Sequence, residues 1–193
     1  MIKNPNHPKK GSTIKVMPIK NEKDIKILKQ ILNPRDACLF TIGINTALRA
    51  SDIVRIKTDQ VVGIEPMADI DIKEKKAKKY KRVNLNESCV KAIDVYLETR
   101  ESYSEWLFNN TQGGHLSVPY VSNMVKGWCK SLNLKGNYGS HTLRKTFGYM
   151  QRTKHNVGTP MLMVVFNHAS ERQTLDYLCV QSKEIRNIYG NII

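Results

Sequence analysis

The sequence lacks several things that would fix its setting at once. No apolar run approaches the roughly 20 residues that a membrane-spanning helix needs. The first 20 residues are polar and basic, with no apolar centre of the kind a secretory leader carries. The 4 cysteines, Cys38, Cys89, Cys129 and Cys179, stand singly, with none in a Cys-x-x-Cys pair or beside a histidine at zinc spacing. They read as thiols in a reducing cytoplasm, with no disulfide and no metal site expected. Carboxylates are scarce, 17 Asp and Glu against 31 Lys and Arg, and they form no cluster suited to magnesium. There is no internal repeat and no low-complexity domain.

What is present is a chain of 193 residues, enough for one domain with a sizeable core. Its 40% apolar and 25% charged composition is ordinary for a globular protein. The net charge of +14 is not ordinary. It calls for a polyanionic partner, and without a membrane segment nucleic acid is favoured over a lipid surface.

The pattern predicts a mixed α+β fold, mainly helical, with one small antiparallel sheet. Residues 1–20, with Pro5, Pro8, Gly11 and Pro18 among lysines, read as a flexible basic lead-in. Residues 21–180 read as the folded domain, and 181–193 as a tail with Ile185, Ile188 and Tyr189 as an apolar edge. Asn21 can cap a helix running to about residue 32. Pro34 then restarts a helix that is apolar almost all round, and so belongs in the core. Ser51 is expected to cap a short helix directly after Arg49. Residues 61–86 alternate like strands on either side of a basic hairpin tip, residues 73–82. Further helices are expected over 88–100, from Ser117 to about 132, over 160–166, and after a Ser170 cap.

The chain is organised around Ser140-His141-Thr142-Leu143-Arg144-Lys145-Thr146. With Ser140 as N-cap, His141 and Arg144 project from one face of a helix's first turn. A helix N-terminus already attracts anions. An arginine fork and an imidazole added there make a phosphate clamp with a proton-transfer group beside it. Upstream stands Thr46-Ala47-Leu48-Arg49, and downstream Asn167-His168-Ala169-Ser170, with Tyr177 nine positions after His168.

That order (an arginine, a basic hairpin, His-x-x-Arg, a second histidine, then a tyrosine) resembles the catalytic domain of the tyrosine recombinases, the phage integrase family. The resemblance runs from about residue 21 to residue 177. It implies Arg49, Lys76, His141, Arg144, His168 and Tyr177 as the catalytic set. Lys76 would be the hairpin general acid, with Lys75, Lys78 and Lys79 as alternatives in nearby register. Ala47 and Asn167 depart from the pattern where many relatives carry glycine, as does Ala169 where serine is common.

A phosphodiester resists attack because its oxygens share a negative charge and the leaving alkoxide is poor. Catalysis needs cations on those oxygens, a nucleophile, and an acid at the leaving oxygen. Arg49 and Arg144 suit the first task. Tyr177 would attack, His141 take or relay its proton, Lys76 protonate the departing 5′ oxygen, and His168 donate to the phosphate. The resemblance implies a 3′-phosphotyrosyl intermediate formed without a cofactor. Lys73, Lys75, Lys78, Lys79, Lys81, Arg82 and Lys145 are expected to contact DNA phosphates. The expected partners are double-stranded DNA and further copies of the chain in a dimeric or tetrameric synapse, not a membrane. The expected setting is cytoplasmic, bacterial or phage-encoded. A DNA-binding accessory module on the same fold, or a type IB topoisomerase-like nicking-closing enzyme, is the alternative reading.

Overall fold

A computed structural model describes residues 16–73 and 80–180, together with 186, 189, 190 and 192. Most helices begin where a side chain can take up the free N–H groups of the first turn. Asn21 accepts from Lys23 N–H at 2.9 Å and opens α1 (Glu22–Ile31). Asn33 caps α2 (Pro34–Asn45), whose proline lies in the first turn. A single turn, α3 (Ala50–Ile53), follows Arg49. Strands β1 (Asp69–Lys73) and β2 (Tyr80–Asn84) pair antiparallel, with Ile70 opposite Val83 and Asp71 opposite Arg82. Then come α4 (Glu87–Glu98), α5 (Val118–Ser131), α6 (Ser140–Thr153), α7 (Thr159–Phe166) and α8 (Glu171–Leu178).

Helix α2 is the centre, as its apolar circumference requires: every residue from Cys38 to Gly43 is buried. α1, α4 and α6 pack around it. Phe40 meets Trp128 of α5 edge-on, and the Trp128 indole N–H donates to Asp36 at 3.3 Å. Gly43 allows α6 to close on α2, since a Cβ there would stand 2.8 Å from Leu143 Cβ. A second, smaller cluster of Ala47, Leu162, Phe166 and Leu178 holds α7 and α8.

Four boundaries differ from expectation. Gly139, not Ser140, is the N-cap of α6, because the Thr142 hydroxyl accepts from Gly139 N–H at 3.0 Å and fixes the turn one residue earlier. Arg49, not Ser51, is the N-cap of α3, and the Ser51 hydroxyl donates to Asp52 instead. Asn86 opens α4 by accepting from Cys89 N–H at 3.0 Å. Residues 16–20 are docked rather than free: Ile19 is buried, its N–H donates to Thr146 Oγ1 at 2.9 Å, and Met17 N–H donates to Asn137 O at 2.8 Å. The apolar side chains among those lysines explain the docking. The expected tail helix lies outside the described residues, apart from single positions such as Tyr189, which is exposed.

Candidate active site

Three segments distant in sequence converge at the start of α6. The first is the turn after α2, where Ala47 holds a left-handed conformation (φ 54°) and directs the chain into Arg49. The second is the first turn of α6 itself. The third is the end of α7, where Asn167 is also left-handed (φ 52°) and turns the chain between Phe166 and His168. α8 then brings back Thr174 and Tyr177.

Arg144 joins the three. Its side chain is buried, Nη1 donates to the carbonyl of Ala47, and Nη2 donates to the carbonyl of Phe166 at 2.6 Å. The guanidinium also lies 4.9 Å from the Phe166 ring centroid and 6.0 Å from that of Tyr177. A guanidinium has five N–H donors, so two carbonyl bonds leave others for an anion or the phenol. One residue thus binds the backbones on either side of the site and carries charge into it.

Phe166 is the apolar floor. His168 stacks on it at 5.2 Å and 25°, and the Tyr177 ring lies tilted at the same distance. The Tyr177 hydroxyl is 3.3 Å from His141 Nδ1, which is hydrogen-bond reach for proton transfer. His168 meets Tyr177 edge-on, and its Nδ1 lies 3.1 Å from the buried Thr174 hydroxyl.

The environment moves all three titrating groups. Burial pushes the Tyr177 phenol up to about 12, against the downward pull of Arg144 and Arg49. Burial, with Arg144 and Arg49 adding to it, takes His168 down to about 4. His141 keeps an exposed edge, yet burial of the rest of the ring and then the cations of Arg144, Lys145 and Arg49 hold its pKa below the ordinary histidine value. At neutral pH both imidazoles are therefore uncharged and the phenol keeps its proton.

The sequence profile of the phage integrase family matches residues 19–184. The chain belongs to the phage integrase family. It is 32% identical over 180 residues to the probable integrase/recombinase YoeC of Bacillus subtilis, covering 90% of this chain and 95% of that one. It is 31% identical to the tyrosine recombinase XerC of Caldanaerobacter subterraneus, covering 86% of this chain but 48% of the relative. Among solved structures, the fold matches the XerA recombinase (TM-score 0.73, 20% identity, 95% of this chain and 65% of that one). It also matches the XerH site-specific recombinase bound to its palindromic difH substrate in a post-cleavage complex (TM-score 0.74, 20% identity, 94% and 54%). The chain therefore spans most of one integrase relative and about half of the longer recombinases.

Of the expected set, His141, Arg144, His168 and Tyr177 are in mutual contact, and Arg49 is near enough for its charge to act on both imidazoles and the phenol. The hairpin residues Lys75, Lys76, Lys78 and Lys79 lie outside the described residues. Lys73 and Lys81 are described through their strand backbones, as partners of Tyr80 and Ile72. Arg82 is exposed, but its Nε lies 3.4 Å from Asp71 and 3.5 Å from Asp69, so carboxylates already share it. Lys145, expected to contact DNA phosphate, is packed inside the site in this DNA-free structure. It is buried, with Nζ 5.0 Å from the Tyr177 ring centroid and donating to Cys179 Sγ at 3.3 Å. It faces the underside of the phenol because α6 turns it toward α8. Sequence reasoning missed Phe166 and Thr174 as site residues. Both sit at ordinary core positions of short helices, and only their distance from His168 in sequence, two and six residues, marks them.

Proposed function

We propose that the protein is a site-specific DNA recombinase that breaks and rejoins DNA through a 3′-phosphotyrosyl intermediate. The observation that carries this reading is the hydrogen-bonded pair of Tyr177 hydroxyl and His141 Nδ1, set against Arg144 with His168 alongside. Arg49 and Arg144 neutralise the phosphate oxygens of the scissile bond. The Tyr177 oxygen attacks phosphorus as its proton passes to His141 Nδ1. Phenol ionisation before attack is unfavourable with a pKa near 12, so proton transfer accompanies attack, and the uncharged imidazole is ready to accept it. His168 donates from Nε2 to a phosphate oxygen. A lysine of the 73–81 hairpin, Lys76 in our assignment, protonates the 5′ oxygen as it leaves.

The new P–O bond to tyrosine keeps the energy of the old one. Attack by a 5′ hydroxyl from another strand then reverses the step and releases the tyrosine, without a nucleotide cofactor. Partners on this reading are double-stranded DNA and other copies of the chain assembled on it, in the cytoplasm.

A nicked suicide substrate incubated with the protein in EDTA tests the reading. We expect a covalent protein–DNA adduct that is absent in Tyr177→Phe. Retarded DNA with no adduct on any cognate site would refute it and leave a DNA-binding module. Strand exchange between two duplexes then separates a recombinase from a nicking-closing enzyme.

A further inference from the structure

The Thr174 hydroxyl stands between two acceptors and has one proton to give. His168 Nδ1 is 3.1 Å away and the Ser170 carbonyl 3.4 Å away. The two choices have opposite consequences for the ring. If the hydroxyl proton goes to Ser170, the oxygen accepts from an Nδ1–H, and an uncharged His168 presents only a lone pair at Nε2. If the proton goes to Nδ1, the ring proton resides on Nε2, which can then donate.

Geometry decides between them. The contact to Nδ1 is the shorter. The Ser170 carbonyl already accepts from Thr174 N–H at 3.3 Å, as part of the first turn of α8. Thr174 is fully buried, so no water competes for its hydroxyl. The ring is packed in the orientation that turns Nδ1 to Thr174, with Phe166 over one face at 5.2 Å and Tyr177 against it at 5.2 Å. The charged groups bearing on it are Arg144 and Arg49, both of which disfavour a second ring proton.

We propose that Thr174 is a positioning residue that donates its hydroxyl proton to His168 Nδ1 and so holds the ring as the Nε2–H tautomer, the one able to donate to a phosphate oxygen. The link between tautomer and chemistry rests on the functional reading above, whereas the tautomer itself does not. Second-sphere hydrogen bonds fix imidazole tautomers in this way wherever one nitrogen must be kept for a ligand.

The test uses the DNA-free full chain and the wild type first. Long-range nitrogen–proton correlation spectra of His168 report which ring nitrogen carries the proton. Protonated Nε2 with unprotonated Nδ1 is expected, both in the wild type and in Thr174→Ser. In Thr174→Val, which keeps the shape and removes the hydroxyl, the proton should redistribute toward Nδ1. Cleavage of the suicide substrate at saturating DNA should fall about tenfold in Thr174→Val, the scale of one hydrogen bond, and return in Thr174→Ser. A wild-type ring protonated at Nδ1 would overturn the proposal, as would a Thr174→Val variant that keeps the Nε2–H tautomer. If the wild type cleaves no substrate, the functional reading fails while the spectra still decide the tautomer.

Discussion

Arg144 should be as much a structural residue as a chemical one, and the two roles can be separated by measurement. Replacing it with alanine removes two charge-assisted hydrogen bonds, to the carbonyls of Ala47 and Phe166. Each such bond contributes about 1.5–3 kcal/mol, and the carbonyls left behind stay in a buried setting. Relief from burying the guanidinium charge offsets part of this. We therefore expect Arg144→Ala to lower unfolding stability by about 3–5 kcal/mol, a large share of the total for a domain of this size. Arg144→Lys should recover only about half, because one ammonium cannot span two carbonyls on separate segments. Urea unfolding with an unchanged slope is the assay. Arg49→Ala, on the proposed reading, should likewise abolish cleavage. An Arg144→Ala protein as stable as the parent, but inactive, would refute the bridging role and leave a purely chemical one.

The His141, His168 and Gly148 environments yield three more expectations. In DNA-free protein the His141 ring should titrate below the unperturbed value of about 6.5. Lys145→Gln removes a cation that disfavours the imidazolium, so it should raise that pKa and move the acid limb of cleavage to higher pH; an unmoved NMR titration curve would exclude the coupling. By the same logic stability should fall as pH drops from about 6.5 toward 4. The unfolded chain takes up protons there that the folded His168 refuses until about 4. At Gly148 a Cβ would stand 2.6 Å from Phe166 Cζ and 2.7 Å from Leu178 Cδ2. Overpacking costs about 1–3 kcal/mol, and the better helix propensity of alanine returns up to about 1. Gly148→Ala should thus lose roughly 1 kcal/mol in urea unfolding but cleave far more slowly, because the displaced ring and helix carry His168 and Tyr177. Undiminished cleavage would show that the Phe166 floor does not set the geometry.

What could be read in the sequence was local. The apolar circumference of α2, Pro34 in a first turn, the Asn21, Ser117 and Ser170 caps, and the alternation around the hairpin all depend on neighbours a few residues away, and all were legible. Membership of the family was legible through the order of its motifs. The two departures from glycine also find their physical reason. Ala47 and Asn167 both occupy left-handed backbone, where glycine carries no Cβ penalty and asparagine a small one. What stayed hidden depends on pairs far apart in the chain. Nothing in Lys145 itself distinguishes a lysine under a phenol from one on DNA. Two long-range contacts complete the site: the Arg144 bond to Ala47, which spans 97 residues and which nothing near Arg144 in sequence announces, and the 3.3 Å contact of His141 with Tyr177, which spans 36 and which the expected proton relay implied.

Those two long-range contacts, taken together, explain how a site whose phenol and imidazoles are uncharged can be ready for an anion. Burial holds the phenol in its neutral form against the pull of Arg144 and Arg49, whereas burial and those two cations act together to keep both imidazoles uncharged. The positive charge is concentrated in the guanidinium groups, which do not give up protons at any physiological pH. An arriving phosphate therefore meets fixed cations rather than titrating ones. Its own negative charge opposes the pull of those cations and favours a proton on His141, the group 3.3 Å from the nucleophile. Substrate binding would in this way strengthen the base as it is needed. Because Arg144 also ties the Ala47 turn to the end of α7, the side chain that on the proposed reading would attract the phosphate also joins the segments that carry Arg49 and His168.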